Sequence, residues 1–200
     1  MRKLILQVQQ SVDGFMANKN GETDWMTWNW GEAWTWDIAL QKYFNATTSS
    51  VDCVLLSRKM AVEGFIDHWA AMAGKHDNPQ SGFAHVIKLA SKVVFTKTLT
   101  QSKWDNTVLA KGDLKQEVNT LKKSAGGNMI AYGGAGFASS LIKTGLVDEY
   151  HFIVNPAALG SGLSIFKGLG KTLNLSLLDA TPYKGGMAVL KYKGGQFLDV

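Results

Sequence analysis

Cysteine is almost absent from this 200-residue chain. Cys53 stands alone, so neither a disulfide framework nor a cysteine-rich metal site can form. It lies in the apolar run VDCVLL and is expected to be a buried structural thiol. Histidine is nearly as scarce, and His68, His76, His85 and His151 show no HExxH or other ligand spacing, so no metal is expected. Only two arginines are present, Arg2 and Arg58. The net charge of +5 therefore rests on scattered lysines rather than on a basic stripe, which argues against nucleic acid while suiting a small anionic ligand. No Pro/Ser-rich linker, repeat or low-complexity stretch divides residues 1–200, which read as one domain. The opening MRKLILQVQQ has a basic flank, but Gln7, Gln9 and Gln10 interrupt its apolar run. It reads as neither a signal peptide nor a membrane span, and a cytoplasmic protein with no membrane partner is the expectation.

Against these absences stand two concentrations, of glycine and of tryptophan. Residues 128–146, NMIAYGGAGFASSLIKTGL, begin with a run of buried-strand length, turn on Gly133, Gly134 and Gly136, and continue as a helix stopped by Gly145. A strand, a glycine corner and a helix aim free backbone N–H groups and the positive end of the helix dipole at one point, which favours an anion such as phosphate. The same glycines also suit a plain tight turn. The spacing fits neither a Rossmann fingerprint nor a Walker loop. Five of the seven tryptophans, Trp25, Trp28, Trp30, Trp34 and Trp36, fall within twelve residues. Such density suits core or dimer-interface packing, or a pocket wall that stacks a flat heterocycle.

In chain order, residues 3–9 predict a first strand, followed by the turn Ser11-Val12-Asp13-Gly14, where Asp13 suits a backbone-bonding turn role as well as a catalytic one. A helix is predicted over 32–44, with Asp37, Leu40, Gln41 and Phe44 along one side. A strand over 51–56 ends at Ser57-Arg58-Lys59 before a helix over 60–65. Two cations beside a helix N-terminus suit an anionic ligand or ordinary solvated surface. Residues 67–81 read as a polar loop and 83–89 as a short helix. The strand at 91–95 ends at Thr96-Lys97-Thr98, either a phosphate clamp or an unremarkable strand end. A short strand over 107–110 and an amphipathic helix lead to the 128–146 unit. After that come a strand over 148–155 and two strands over 173–180 and 187–192, which are expected to pair antiparallel. Strands alternating with helices, then a hairpin, predict an α/β sheet with a mixed edge and a ligand at the carboxyl ends of its strands.

Taken in order, SVDGFMA, LLSRKM, VVFTKTL, IAYGGAGFASSLIKTGLVDEYHFIVNPAALGSGLSIF and the closing hairpin resemble the dihydrofolate reductase-like superfamily. The closer resemblance is to the reductase domain of the bifunctional deaminase-reductase of bacterial riboflavin biosynthesis. It spans nearly the whole chain and is most specific over 133–166. It implies a three-layer α/β fold with a mixed, mostly parallel eight-stranded sheet and a C-terminal antiparallel hairpin, bound NADPH, and a homodimer. It further implies that Ser57, Arg58 and Lys59 meet the cofactor phosphates and that Thr96, Lys97 and Thr98 hold the adenosine 2′-phosphate. Gly133, Gly134, Ala135, Gly136 and Phe137 would hold the pyrophosphate, with Met16 and Ala17 beside the nicotinamide.

Ser57 stands where glycine, and Met60 where threonine, is commoner in that family. Residues 25–50 contain no arginine to hold a ribose phosphate, and Lys42 is their only lysine. The expected activity is therefore NADPH-dependent hydride transfer to a C=N or C=O bond of a small, flat or apolar substrate, with Trp25, Trp28 and Trp30 forming its pocket. The alternatives are the riboflavin-pathway 5-amino-6-(5-phosphoribosylamino)uracil reductase, a dihydrofolate reductase, and a non-catalytic nucleotide-binding or dimeric interaction module. Asp37 is the first candidate for proton donor, with Glu32 and Asp13 as rivals.

Overall fold

The strands alternate between two apolar faces, and that alternation builds three layers. The computed structural model describes residues 1–29, 33–75 and 78–198. The first strand β1, Leu4–Gln10, sends Leu4 and Leu6 to one face and Ile5 to the other. Strand β2, Val51–Ser57, does the same with Cys53 and Leu55 against Val54 and Leu56. Burial on both faces explains why these runs are almost continuously hydrophobic.

The remaining strands are β3 (Ser91–Phe95), β4 (Thr107–Ala110), β5 (Asn128–Tyr132), β6 (Glu149–Val154), β7 (Thr172–Pro182) and β8 (Ala188–Leu198). They form an eight-stranded sheet in the order β4-β3-β2-β5-β1-β6-β8-β7. Strands β1 to β6 run parallel, and β8 pairs antiparallel with both β6 and β7. The expected mixed, mostly parallel sheet with a terminal hairpin is the architecture found.

Helices α1 (Ile38–Ser49), α2 (Arg58–Val62), α3 (Phe65–Met72) and α4 (Ser81–Leu89) precede β3 and pack on the Ile5 face through Leu40, Phe44, Trp69 and Phe83. Helices α5 (Leu114–Lys123) and α6 (Ala135–Lys143) cover the opposite face through Val118, Leu141 and Ile142. Several boundaries differ from the sequence expectation: β8 runs on to Leu198 rather than ending at 192, and two helix boundaries have clear local causes. The first helix starts only at Ile38 because Asp37 is its N-cap: the carboxylate accepts the Leu40 N–H at 2.9 Å, and the helix then runs on to Ser49. The helix expected over 60–65 breaks at Gly64, whose φ of 100° a side-chain-bearing residue adopts only with strain. A new helix, α3, starts at Phe65 and occupies residues 67–72 of what reads as a polar loop.

Candidate functional site

Because β1 to β6 are parallel, their carboxyl ends share one rim. The order β3-β2-β5-β1 therefore sets the corners after Phe95, Ser57 and Tyr132 and the loop after Gln10 side by side. The second and third corners touch. A Cβ on Gly133 would lie 2.6 Å from the Phe137 ring and 3.0 Å from the Ser57 Cβ, so only glycine lets β2 and β5 approach this closely. Gly134 then caps α6 in an extended conformation without a side-chain bond, and a Cβ at Gly134 or Gly136 would meet nothing within 4 Å. The N-terminal end of a nine-residue helix thus opens onto free space, with first-turn N–H groups that have no partner inside the helix.

Around this end the other corner residues are placed as follows. Ser57 Oγ accepts the Met60 N–H at 3.2 Å and caps α2, while Arg58 and Lys59 are exposed, with Lys59 3.6 Å from Glu63. Thr96 is buried, and its Oγ1 accepts the N–H groups of Thr98 (3.1 Å) and Leu99 (3.0 Å). Lys97 Nζ donates to the carbonyls of Lys111 (2.5 Å) and Gly112 (2.8 Å), so a phosphate there would compete with two backbone acceptors. The loop after β1 is held by a bridge between Ala17 and Leu163 and by the Met16 N–H bond to Leu163 O at 2.9 Å.

Beside Gly133 and Met16 lies a cavity of about 160 Å³, comparable to one that holds a single benzene-sized ring. Its floor is Gln7, Gln9, Tyr132 and Ile153 of the sheet, and its walls are Phe44, Phe65, Trp69 and Phe83 from the helices, closed by Trp28 and Trp36. Trp28 is buried and stacks edge-on against Trp36 at 4.8 Å, so it serves the core and the cavity together. Trp25 is half-buried and does not line the cavity. Trp30 and Glu32 lie outside the described residues. Among the described residues lining the cavity none carries a charge.

The two described carboxylates proposed as proton donors are committed elsewhere. Asp13 accepts from Ser11 Oγ (2.6 Å) and from the N–H groups of Leu159 and Gly160. The Ser11 bond, aided by these backbone bonds and outweighing desolvation, holds its carboxyl below the usual range. Asp37 accepts from the Leu40 N–H and, at 2.7 Å, from the Lys184 N–H. The Leu40 bond leads in lowering its pKa, against desolvation. It faces an open groove between α1 and residues 181–184 rather than the aromatic cavity.

The tertiary structure adds a polar row that the sequence reading missed. Gln7 pairs in register with His151 and stands on the same face as Tyr132 of the strand on its other side. The Tyr132 hydroxyl donates to Gln7 Oε1 at 2.9 Å. Tyr43 of α1 meets His151 Nδ1 at 2.8 Å, His151 Nε2 lies 3.3 Å from Glu149, and Glu149 pairs with Lys3 at 2.8 Å. The Glu149 carboxylate selects the Nε2–H form of His151, so Nδ1 accepts the Tyr43 proton. The one signal in the sequence was Gln7 and Gln9 alternating with Ile5 on what should be a core-facing side.

Burial lowers the His151 pKa below 6.5, and the nearby Glu149 offsets this only in part. The unfolded chain therefore takes up this proton first as the pH falls. Stability is complete above 6.5 and lost as the pH drops towards the depressed folded value; His68, also lowered, acts in the same direction. Urea unfolding should show lower stability at about pH 5.5 than at about pH 7.5. His151→Gln should reduce that pH dependence.

A family model described as the RibD C-terminal domain matches residues 2–189. The uncharacterized protein YyaP of Bacillus subtilis is 29% identical over 194 residues, which cover 96% of this chain and 94% of that protein. Among solved structures, a putative riboflavin biosynthesis protein from Shewanella sp. PV-4 superposes with a TM-score of 0.69 at 20% identity, over 97% of this chain and 99% of that one. Dihydrofolate reductase from Enterococcus faecalis, complexed with NADP(H), superposes with a TM-score of 0.57 at 11% identity, over 97% of each chain. The fold is dihydrofolate reductase-like.

Proposed function

The chain belongs to the RibD C-terminal domain family, and from that premise we propose that it is an NADPH-dependent reductase acting on a C=O or C=N bond of a small, flat, apolar substrate. The observation that carries this reading is the contact between two unlike sites. An open helix N-terminus at Gly134, suited to a pyrophosphate, adjoins through Gly133 an aromatic cavity of single-ring size. The residues fit the cofactor: Gly134 and Gly136 leave room for phosphate oxygens, Arg58 and Lys59 are exposed on the adjoining corner, and Met16 reaches the cavity mouth. Bound there, NADPH would supply a hydride, and the protein orients the acceptor.

A phosphoribosyl substrate is the weaker reading, because an uncharged aromatic lining offers its phosphate nothing. The proton that completes the reduction comes from solvent in this scheme, since Asp13 and Asp37 are both held ionised and away from the described cavity wall. Calorimetric titration with NADPH and NADH tests the proposal. The expected result is tight NADPH binding with a clear preference over NADH. Binding of neither in the sub-millimolar range would leave a fold that has lost the chemistry, and the interaction-module reading would replace this one.

A further inference from the structure

The polar row behind the cavity has a direction. Tyr132 donates to Gln7 Oε1 at 2.9 Å, the Gln7 amide N–H is directed at the Tyr43 side chain, Tyr43 donates to His151 Nδ1 at 2.8 Å, and His151 Nε2 faces Glu149 at 3.3 Å. Every donor thus points away from the cavity and towards one carboxylate, and each dipole strengthens the next. The outer end reaches solvent, because Glu149 pairs with the exposed Lys3. The inner end is part of the cavity itself: Gln7 and Tyr132 line it, and the Tyr132 ring lies 5.6 Å from Phe65 and 6.1 Å from Phe83. Tyr43 and His151 do not line it.

His151 is 3% exposed and is enclosed by four elements. Gln7 of β1 and Lys191 of β8 flank it in register, Glu149 stands two residues before it on β6, and Tyr43 reaches it from α1. Behind these, Asp179 of β7 pairs in register with Lys191, Lys193 with Glu149, and the Tyr183 ring lies 6.3 Å from Tyr43. A second proton on this imidazole would turn Nδ1 from an acceptor into a donor that meets the Tyr43 O–H head-on. Tyr43 would then have to turn its proton towards Gln7. The amide would present its oxygen to Tyr43 and its NH2 to Tyr132, and the Tyr132 hydroxyl would lose its acceptor. Two buried donors facing each other are unfavourable, so the reversal runs the length of the row.

We propose that protonation of His151 and occupation of the aromatic cavity oppose each other through Tyr43, Gln7 and Tyr132, which makes His151 a positioning residue of this site. The inference adds a proton-linked control to the reductase reading and rests on that reading only for what the cavity normally holds. With His151 neutral, the row holds the Tyr132 ring in place as the cavity floor and the space stays preformed. With His151 charged, that ring has lost its anchor and competes with a ligand for the space. Linkage is reciprocal, so a ligand in the cavity must also make His151 harder to protonate.

Fluorobenzene, neutral at every pH and of single-ring size, tests this in the cofactor-free protein. Imidazole NMR should show the His151 titration midpoint falling by about half a pH unit when fluorobenzene saturates the protein, which corresponds to about threefold weaker binding by the protonated form. Fluorine NMR titrations should show the weaker binding directly as the pH falls from about 7.5 through that midpoint. His151→Gln should make fluorobenzene affinity independent of pH. Tyr43→Phe, which cuts the row without touching the cavity lining, should leave His151 titrating but with a midpoint that fluorobenzene no longer moves. His68→Gln is the control, because the His68 ring lies 4.8 Å from that of Trp69 in the cavity wall, and it should retain the pH dependence. In the unaltered protein, a midpoint unmoved by fluorobenzene, a His151 that stays neutral down to acid unfolding, or no fluorobenzene binding would each overturn the proposal, whether or not the variants fold. So would a pH dependence that survives His151→Gln. Failure to bind NADPH with the His151 linkage intact would remove the reductase reading alone, and NADPH binding without the linkage would remove only this one.

Discussion

Gly134→Asp should sharply weaken NADPH binding while leaving the protein slightly more stable. Gly134 is the N-cap of α6, already extended (φ −69°, ψ 171°) and without a side-chain cap bond. Aspartate adopts that conformation readily and accepts a first-turn N–H, which should add a few tenths of a kcal/mol relative to glycine. No neighbour obstructs the new side chain, because a Cβ there meets nothing within 4 Å. The carboxylate would then take up the N–H groups and the helix-end potential that the proposal gives to the pyrophosphate, and would set like charges against each other. A loss of roughly 100-fold in NADPH affinity, about 3 kcal/mol, is expected from calorimetry, together with an unchanged or raised melting temperature. Opposite signs in the two measurements are the informative outcome. If affinity were retained, the pyrophosphate would have to bind elsewhere, and the Gly133–Phe137 assignment would be abandoned.

Trp69→Ala should be the most damaging single substitution for stability, costing about 3–5 kcal/mol in denaturant unfolding. Trp69 is 1% exposed and sits edge-on against Phe83 at 4.5 Å, with Phe65 at 6.1 Å on the same helix. The void it leaves would merge with the existing cavity. The walls cannot close over it without moving α3 and α4, which pack here against the sheet. Small aromatic additives such as toluene should restore part of the lost stability by filling that space. An effect below 1 kcal/mol would mean that the two helices collapse inward, and that the cavity is not rigidly preformed.

The architecture was largely legible because it rests on local periodicity. The 107–110 and 91–95 strands, the glycine-cornered 128–146 unit and the antiparallel hairpin each carry their signal in contiguous sequence. Misreadings occurred where local cues conflicted. The polar stretch 67–81, with its Asn78-Pro79, reads as a loop although Phe65, Ile66 and Trp69 lie on one buried side of α3, and Gly64 conceals the break that precedes that helix. In the site, the three cationic and glycine corners were readable because strand-to-helix turns bear recognisable residues. Gln7, Tyr43, Trp69 and His151 were not readable, because none carries a motif and each acquires its role from a partner far along the chain.

Hydrophobic alternation and turn chemistry, properties of neighbouring residues, determined by themselves most of the strands and helices. The tertiary structure decided the rest. Inserting β5 between β2 and β1 places Tyr132 beside Gln7, and laying β6 along the other edge of β1 puts His151 opposite it in register. That pairing brings Gln7, Tyr43, Tyr132 and His151 into one polar row beside an aromatic cavity, because which groups meet across the sheet depends on strand order in space and not on order along the chain.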